Sequence, residues 1–335
     1  MSDTYSPIEE VMAEKYRGYG IDPVILINSF SALLGISIFA VPWGFLMSGV
    51  LGGILIVTTV AYLSFKTTKI LLLAQNKIFH STGNIPSYAE VASEYLGPPF
   101  GSIVKIATVI SCLGGCIGSL IFIGSLLSQL LHIPLDVAFL YLLIPLILLS
   151  WIRSFRDLTF FTIFGSIAII FSITILLIDG FLQYNSDPSH IANDTMIPLI
   201  LPKSVEFVGP VTFLFTIHYI ILSMGKEILV RNNQLPPKYS DENLPSLNDI
   251  HTRLHNLNKF IFPLAISYAV CACMLSILGT LGYFWYRDVT YVTDHLGNVI
   301  PGCERRICEN IILNLSKGPL RYESFSTLLV LIERF

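Results

Sequence analysis

The sequence predicts an all-α polytopic membrane protein. Hydrophobic residues make up 53% of the 335 residues, charged residues only 13%, and the mean hydropathy is +0.69. A typical soluble domain contains about 25% charged residues, so we expect most of this chain to lie in lipid. The chain also contains several uncharged apolar runs of roughly 20 residues, which is the length that a membrane-spanning helix needs.

The predicted spans follow these runs in chain order. Residues 1–22 are polar, mixed in charge and lack a cleavable signal peptide, which predicts a cytosolic N-terminal tail. Pro23–Phe65 contains no Asp, Glu, Lys, Arg or His and has room for two helices, with a turn near Ser48–Gly53. Further spans are predicted at Ile106–Leu131, Val137–Ile152, Leu158–Ile178, Phe207–Gly225 and Phe260–Tyr286. An eighth run, Glu323–Phe335, begins and then stops, so we expect residues 23–335 to be a truncated part of a longer membrane domain.

The distribution of Lys and Arg predicts that the N-terminus faces the cytosol. Basic residues are enriched in the loops that this topology places inside, among them a polar loop at 232–258 with a short surface helix expected at Leu247–Leu257. The loop at 287–322 is also basic, but other signals favour the outer side. Cys303 and Cys308 form either a small disulfide or two free thiols there. Two glycosylation sequons, at Asn193 and Asn314, lie in loops that this topology places outside.

Composition and motifs exclude several function classes. A net charge of −3 and a pI near 6.2 argue against a nucleic-acid partner. The remaining cysteines lie in the third and seventh spans and are expected to be buried apolar thiols; they are Cys112, Cys116, Cys271 and Cys273. The sequence has no Cys/His cluster with zinc spacing, no Gly-rich phosphate loop and no nucleophile elbow. We therefore predict no metal site, no cofactor and no enzymatic activity.

The first span contains its own helix breakers. In "NSFSALLGISIFAVPWGFLMSGVLGG", Asn28–Gly53, a Gly35–Ser37 step is followed by Pro42. A helix break at membrane depth survives only if it is buried in protein or lines a polar cavity. Transporters use such breaks, because the freed N–H groups bind an anion and the freed carbonyl groups bind a cation. An amino acid carries both charges and suits a broken helix; the alternative is a Gly–Pro kink that serves packing alone.

The sixth span offers a second break. Gly209-Pro210 lies at its entrance, and Thr216 and His218 lie near its middle. His218 is the only ionisable side chain deep in a complete predicted span, which makes it a candidate proton site. The alternative is a neutral histidine that hydrogen-bonds a backbone carbonyl. Interfacial roles without specific chemistry are expected for three charged residues at span ends, Asp179, Lys226 and Glu227.

Together these stretches resemble the amino acid/auxin permease family of transmembrane amino acid transporters. This family includes the vesicular inhibitory amino acid transporter and the proton-coupled and sodium-coupled neutral amino acid transporters. The first span matches through Asn28, Gly35, Pro42 and the Gly52-Gly53 turn. Further similarity, in the same order along the chain, lies in "TTKILLLA", "SYAEVASEYLGPPFG", "FLFTIHYIILSMGKE" and "GTLGYFWYRDVT…ENIILNLSKGPL".

The resemblance implies a leucine-transporter-type fold with inverted repeats, in which helices one and six are unwound at the substrate site. Gly35, Ile36 and Ser37 match the unwound part of helix one. Phe215, Thr216 and Ile217 match that of helix six, and Asn28 and Ser31 are expected to support the substrate. Sodium-coupled members carry a second Asn where this chain has Ser31, so the resemblance favours coupling to protons.

The sequence thus predicts a secondary active transporter for small neutral amino acids, coupled to protons and working by alternating access. The expected partners are the amino acid, the coupling proton at His218 and the lipid bilayer of the plasma membrane, an intracellular vesicle or a lysosome. Two alternatives stay open: a non-transporting amino-acid sensor, and a regulatory membrane fragment that pairs with full-length subunits.

Overall fold

A computed structural model describes residues 23–82, 84–131, 133–151, 155–186, 201–223, 247–286, 299, 303 and 307–317. In this part of the chain, every secondary-structure element longer than one residue is a helix, which confirms the all-α prediction. The α-helices are α1 Pro23–Leu33, α2 Val41–Ser48, α3 Val50–Thr82, α4 Tyr88–Leu96, α5 Pro98–Leu131, α6 Leu135–Ser150, α7 Phe155–Ser186, α8 Ser204–Leu214, α9 (218–223) and α10 Leu247–Tyr286. Two 3-10 helices, Ile36–Ala40 and Ile311–Lys317, complete the set.

Among the described residues, five helical stretches are long and apolar enough to cross a membrane, which confirms a polytopic protein. A sixth candidate is the broken pair Leu26–Leu33 and Ser37–Ser48, and a shorter apolar helix covers Leu135–Leu148. Large apolar side chains along α5, such as Ile103, Ile110 and Ile117, are more than half exposed. Such a surface is what a helix in contact with lipid requires. The five stretches are Val50–Phe79, Pro98–Ser128, Phe164–Leu182, Ser204–Ser223 and Ile261–Tyr286.

The apolar span Ile261–Tyr286 agrees with the predicted seventh span, Phe260–Tyr286, but the helix that contains it begins earlier than the sequence suggested. The short surface helix expected at Leu247–Leu257 is the first part of the continuous helix α10, which has 40 residues. No Gly or Pro separates Leu257 from Phe262, so nothing in the sequence stops the helix there. Pro263 lies inside α10 without ending it. The N-terminal tail, the rest of the loop at 232–246 and the start of the eighth span lie outside the described residues.

Contacts divide the chain into two compact units. The first unit comprises the residues up to Leu33, Leu63–Ser102 and Ile217–Val270. Its helix α3 makes two polar contacts with α10 and α9: Thr68 Oγ1 lies 3.1 Å from Tyr268 Oη, and Thr67 contacts His218. An apolar cluster of Ile78, Val91 and Leu222 packs α3 and α4 against the end of α9. Ser87 caps α4 together with Glu90 in a capping box.

The second unit comprises Leu34–Tyr62, Ile103–Thr216 and the residues from Cys271 on. Its centre is the packing of α2 and the first 3-10 helix against α8. Phe45 of α2 meets Phe207 of α8 edge to face, with ring centroids 5.8 Å apart. The backbone N–H of Leu201, just before α8, donates to the Ser48 carbonyl at 3.0 Å. These contacts hold the segments after the first break and before the second break against each other.

Candidate functional site

The first helix break lies where the sequence predicted it. Helix α1 ends at Leu33, and Gly35 is extended, with φ −98° and ψ 166°. The chain then forms the 3-10 helix Ile36–Ala40, whose first hydrogen bond runs from Ile38 N–H to the Gly35 carbonyl at 3.1 Å. Pro42 follows in the first turn of α2. Its missing N–H costs nothing there, because the first N–H groups of a helix have no intrahelical acceptor.

The space beside Gly35 is open. A Cβ atom added to Gly35 would meet no heavy atom of the described residues within 4 Å, apart from its own chain neighbours, although Leu34 and Ile38 are buried. The φ of Gly35 is negative, so its conformation does not require glycine for steric reasons in the backbone.

The second break also lies where the family resemblance placed it. Helix α8 ends at Leu214, Phe215 has φ −90° and ψ 5°, and the chain is non-helical through Ile217. Helix α9 then begins, with Ile220 and Ile221 N–H groups donating to the Ile217 carbonyl, each at 3.0 Å. The break therefore interrupts the predicted sixth span close to its middle.

Local hydrogen bonds satisfy some of the backbone polar groups at the second break. Thr216 Oγ1 donates to the Thr212 carbonyl at 2.6 Å, and Thr216 N–H donates to the Phe213 carbonyl at 3.2 Å. Phe215 is completely buried, whereas Thr216 is partly exposed. The last carbonyl groups of an α-helix lack intrahelical donors, so the end of α8 presents partial negative charge at this point.

In the second unit, the segment that follows the first break packs against the helix that precedes the second break. The 3-10 helix that begins one residue after Gly35 contacts α8, which ends one residue before Phe215. This packing depends on Gly44, because a Cβ atom there would overlap the ring of Phe207. Gly35, Ser37, Phe215 and Thr216 therefore belong to one compact unit.

His218 is the first residue of α9 and belongs to the first unit. Its Nε2 lies 2.7 Å from Thr67 Oγ1, and its ring also hydrogen-bonds the backbone of Ser64. Thr67 Oγ1 is itself 3.0 Å from the carbonyl groups of Leu63 and Ser64. The Thr67 hydroxyl can therefore donate to His218 when Nε2 is unprotonated, or donate to its own helix and accept from Nε2–H.

A second polar side chain, Gln75, fixes the other end of α9 to α3. Its Nε2 donates to the Pro86 carbonyl at 2.9 Å and to the Leu222 carbonyl at 3.3 Å. The contacts at His218 and Leu222 are one helical turn apart on α9 and two turns apart on α3. Sequence reasoning missed both Thr67 and Gln75, because isolated Thr and Gln residues in an apolar run carry no pattern that singles them out.

Three further predicted substrate residues lie in α1 and at the start of the first 3-10 helix. Asn28 and Ser31 are half-buried in α1, which belongs to the first unit together with Ile217. Ile36 opens the 3-10 helix. Between Asn28 and Ser31 lies Ser29, which is fully buried and whose hydroxyl has no partner among the described residues. The role of these residues in substrate binding stays a prediction.

The structure joins Cys303 and Cys308 in a disulfide, with Cα atoms 4.2 Å apart. Asn314 follows in the 3-10 helix Ile311–Lys317; it is fully buried, and its Oδ1 accepts a hydrogen bond from Cys308 N–H at 3.0 Å. A glycan on this side chain would have to be added before this turn folds. The other predicted glycosylation residue, Asn193, lies outside the described residues.

Two expectations for span residues are wrong. Cys112, Cys116 and Cys273 are exposed, and of the four predicted buried thiols only Cys271 is buried. An apolar thiol tolerates lipid as well as a protein interior, so the sequence could not separate the two environments. Asp179 was expected to be interfacial, but it is completely buried and contacts Tyr286. Its partner lies 107 residues away in the sequence, which no local pattern reveals.

The described residues contain no group of three or more His, Cys, Asp or Glu side chains that could hold a metal ion. Comparison with known proteins identifies the class instead. A family model described as "transmembrane amino acid transporter protein" matches residues 24–236, a range that contains both breaks. No solved structure matches the chain.

Curated relatives agree with this match. Amino acid transporter AVT3A of Arabidopsis thaliana is 25% identical over 305 residues, which cover 87% of this chain and 64% of the relative. Amino acid transporter AVT3B of the same plant is 23% identical over 289 residues, 81% of this chain and 62% of the relative. This chain thus spans less than two thirds of the length of either relative. Since the family model matches more than half of its residues, the chain belongs to the transmembrane amino acid transporter family.

Proposed function

We propose that this protein is a secondary active transporter that moves small neutral amino acids by alternating access and is driven by a proton gradient. The observation that carries the proposal is the pair of interrupted spans, broken at Gly35 and at Phe215–Ile217, in a member of an amino acid transporter family. Binding sites built from discontinuous helices are a recurring device of secondary transporters. The leucine-transporter-type fold with inverted repeats belongs to the same proposal.

Backbone chemistry supports an amino acid as the substrate. Ile36 and Ser37 open a helical run that continues to Ser48, so their N–H groups lie at its positive end. The carbonyl groups at the end of α8 supply partial negative charge within the same unit. A carboxylate suits the first group and an ammonium suits the second. An amino acid carries both, and its binding would satisfy backbone groups that lipid cannot satisfy.

The surroundings of the breaks favour a small, uncharged substrate side chain. Neither residues 24–40 nor residues 207–223 contain Asp, Glu, Lys or Arg, and His218 is the only ionisable residue in these two ranges apart from tyrosine. A charged substrate side chain would therefore find no strong countercharge and would lose its hydration without compensation. Thr216 offers a hydroxyl group, which suits a polar but neutral substrate.

We propose His218 as one proton-binding group. The Thr67 hydroxyl satisfies Nε2 in either protonation state, because it can donate to the ring or to its own backbone. When the neutral ring carries its proton on Nδ1, protonation of Nε2 reverses the direction of the Thr67–His218 hydrogen bond and charges the start of α9, one residue after the second break. A bound proton would in this way place a positive charge on α9, the helix that follows the second break.

Uptake into proteoliposomes tests the proposal. The purified protein should accumulate one or more labelled neutral amino acids when the pH outside is lower than inside, and accumulation should stop when a protonophore dissipates the gradient. His218→Gln should flatten the pH profile of uptake, while Thr67→Val should shift it. Uptake that ignores the proton gradient would contradict the coupling. Substrate binding without uptake would favour the amino-acid sensor. If the protein shows no binding and no uptake, the breaks are kinks that serve packing alone.

The excess of Lys and Arg in the predicted inner loops supports an N-terminus in the cytosol. The host membrane is the plasma membrane or that of an intracellular vesicle or lysosome. Fluorescence microscopy of a tagged protein, with antibody access to the tag before and after permeabilisation, tests both the membrane and the orientation.

A further inference from the structure

The half-helix α9 depends on neighbouring helices for its position. The chain is non-helical at 215–217, so no run of helical hydrogen bonds continues from α8 into α9, whose described residues are 218–223. The described partners of α9 include α3 and α4, which belong to the first unit together with α9. Contacts with these helices therefore help to decide where α9 lies.

One polar side chain, that of Gln75 on α3, joins α9 to two other segments at once. Its Nε2 donates to the Pro86 carbonyl at 2.9 Å and to the Leu222 carbonyl at 3.3 Å. An amide NH₂ group carries two hydrogens, so both bonds can form at the same time. Pro86 directly precedes Ser87, the capping residue of α4. The amide thus connects α3, the start of α4 and α9.

The surroundings of Gln75 favour a role in hydrogen bonding rather than in packing. Gln75 is 4% exposed and lies in the apolar stretch Val50–Phe79, one turn away from the buried Ile78. Ile78 in turn packs with Val91 of α4 and Leu222 of α9. A residue that only filled this space would be better apolar, because a buried amide must replace the hydrogen bonds that it made with water. The two backbone carbonyl groups account for an amide at this position.

The two hydrogen bonds of Gln75 differ in length and in reach. The bond to Pro86 has an ordinary length and joins residues 11 apart in the sequence, whereas the bond to Leu222 is longer and joins residues 147 apart. Bonds from N–H to a carbonyl oxygen usually measure about 2.7–3.2 Å, so the bond to Leu222 is the weaker of the two. The bond to Pro86 can hold the amide in place while the bond to Leu222 opens and closes.

We propose that Gln75 is a latch for α9, whose bond to Leu222 breaks and re-forms in each transport cycle. This inference rests on the proposed function, because alternating access requires the substrate site to open to each side of the membrane in turn. With the N-terminus in the cytosol, α3 runs from the outer side to the cytosolic side, and Gln75 lies in its cytosolic half. Release of α9 therefore opens the cytosolic side. Gln75 acts through α9 and is a positioning residue.

Hydrogen–deuterium exchange of the purified full chain, measured by mass spectrometry, tests the release of α9 without using transport. Gln75→Leu removes both N–H donors and keeps a side chain of similar size. Loss of one hydrogen bond typically shifts an equilibrium by about 2- to 12-fold, so the amides of residues 218–223 should exchange faster by about that factor. The amides of α8 should keep their wild-type rates, because α8 belongs to the second unit. Faster exchange in α8 and α9 alike, or unchanged exchange in α9, overturns the proposal.

Ser267→Ala provides the matched control. Ser267 is completely buried in the same unit, and its hydroxyl also faces two backbone carbonyl groups, those of Pro263 at 3.1 Å and Leu26 at 3.2 Å. Neither acceptor belongs to α9, so exchange at 218–223 should stay at the wild-type rate. If Gln75→Leu does not fold, Gln75→Met replaces it, because methionine is unbranched and flexible and lacks the N–H donors. An equal rise in α9 exchange in Ser267→Ala would mean a general loss of packing and would overturn the latch.

Uptake kinetics separate a latch from a permanent brace, whose hydrogen bonds never open. The assay uses the labelled neutral amino acids and proteoliposomes in which the outer side of the protein faces the medium. A latch that opens too easily lowers the fraction of protein that can bind substrate from outside, and the apparent affinity falls with that fraction. Gln75→Leu should therefore raise the KM of uptake, by up to about 12-fold, and leave the maximal rate per folded protein close to the wild-type value.

The outcomes distinguish the latch from the proposed function. A lower maximal rate at an unchanged KM is the result expected for a permanent brace and overturns the latch. A wild type that takes up none of the labelled amino acids contradicts the proposed function itself. A wild type that takes them up, together with a Gln75→Leu variant that has the wild-type KM, contradicts only the latch.

Discussion

The two helix breaks reach a similar result by different means. At the first break, Gly35 is extended and Pro42 restarts the helix from a position that tolerates its missing N–H. At the second break, residues 211–223 contain neither Gly nor Pro before the end of α9 at Ser223. Pro210 lies inside α8, which continues for a further turn before it ends. In the first span, Gly35 lies at the break itself. In the sixth predicted span, the nearest Gly and Pro residues, Gly209 and Pro210, lie a full turn before the break.

The difference shows which breaks a sequence can reveal. The first break coincides with Gly35, a residue type that disfavours a helix interior, and is followed by Pro42, so it is visible in a single sequence. The second break has no such residue, and its two half-helices have separate partners: Phe207 of α8 packs on α2, and His218 of α9 contacts Thr67 of α3. The comparison predicts that substitutions at the first break act directly on the site, whereas those near the second act through packing.

The largest effect is expected for Gly35→Leu. Its side chain would fill the open space beside the backbone, where overpacking against a substrate costs about 1–3 kcal/mol, or roughly 5- to 150-fold in affinity. Uptake should fall by about that factor, while thermal stability in detergent should fall less than it does for a packed glycine, because none of the described atoms beyond the chain neighbours lies within 4 Å of the added Cβ. Gly118→Leu makes the same change at an open, exposed position of α5 and should leave uptake intact. Equal losses in both variants would contradict a site at Gly35.

A smaller, mainly structural effect is expected for Gly44→Ala. The new methyl group would overlap the Phe207 ring and push α2 away from α8, at a cost of about 1–3 kcal/mol in the free energy of unfolding. Gly209→Ala in α8 is the control, because its Cβ would meet nothing within 4 Å and alanine favours a helix over glycine by about 1 kcal/mol. Thermal unfolding should therefore move in opposite directions for the two variants. A lowered unfolding temperature in both variants would contradict a specific role for Gly44, because an alanine with open space around it would then be as harmful as one that overlaps Phe207.

The smallest effect is expected for Thr216→Val at the second break. This variant loses the hydrogen bond to the Thr212 carbonyl, worth about 0.5–1.5 kcal/mol, and keeps the shape of the side chain. Thr174→Val removes the equivalent bond to the Ile170 carbonyl inside the unbroken helix α7. Both should lower stability slightly, and only Thr216→Val should also change substrate affinity. No difference in affinity between the two would remove Thr216 from the proposed site.

The sequence predicted the helical spans well, because long uncharged runs are a direct consequence of contact with lipid. It also predicted the first break from Gly35 and Pro42, while the proton site predicted at His218 stays a prediction. The second break required resemblance to a family, since no residue at 215–217 breaks a helix by itself. Partners that meet only in the folded chain escaped prediction: Thr67 with His218, and Tyr286 with Asp179.

The length of α10 has a practical consequence. At 1.5 Å per residue its 40 residues extend for about 60 Å, roughly twice the thickness of the hydrocarbon core of a bilayer. The apolar stretch Ile261–Tyr286 occupies its second part, so the part before Ile261 reaches out of the lipid as a continuation of the same helix. A compact soluble protein fused in helical register ahead of Leu247 would therefore continue this helix outside the lipid and give electron cryomicroscopy a marker beside the bilayer.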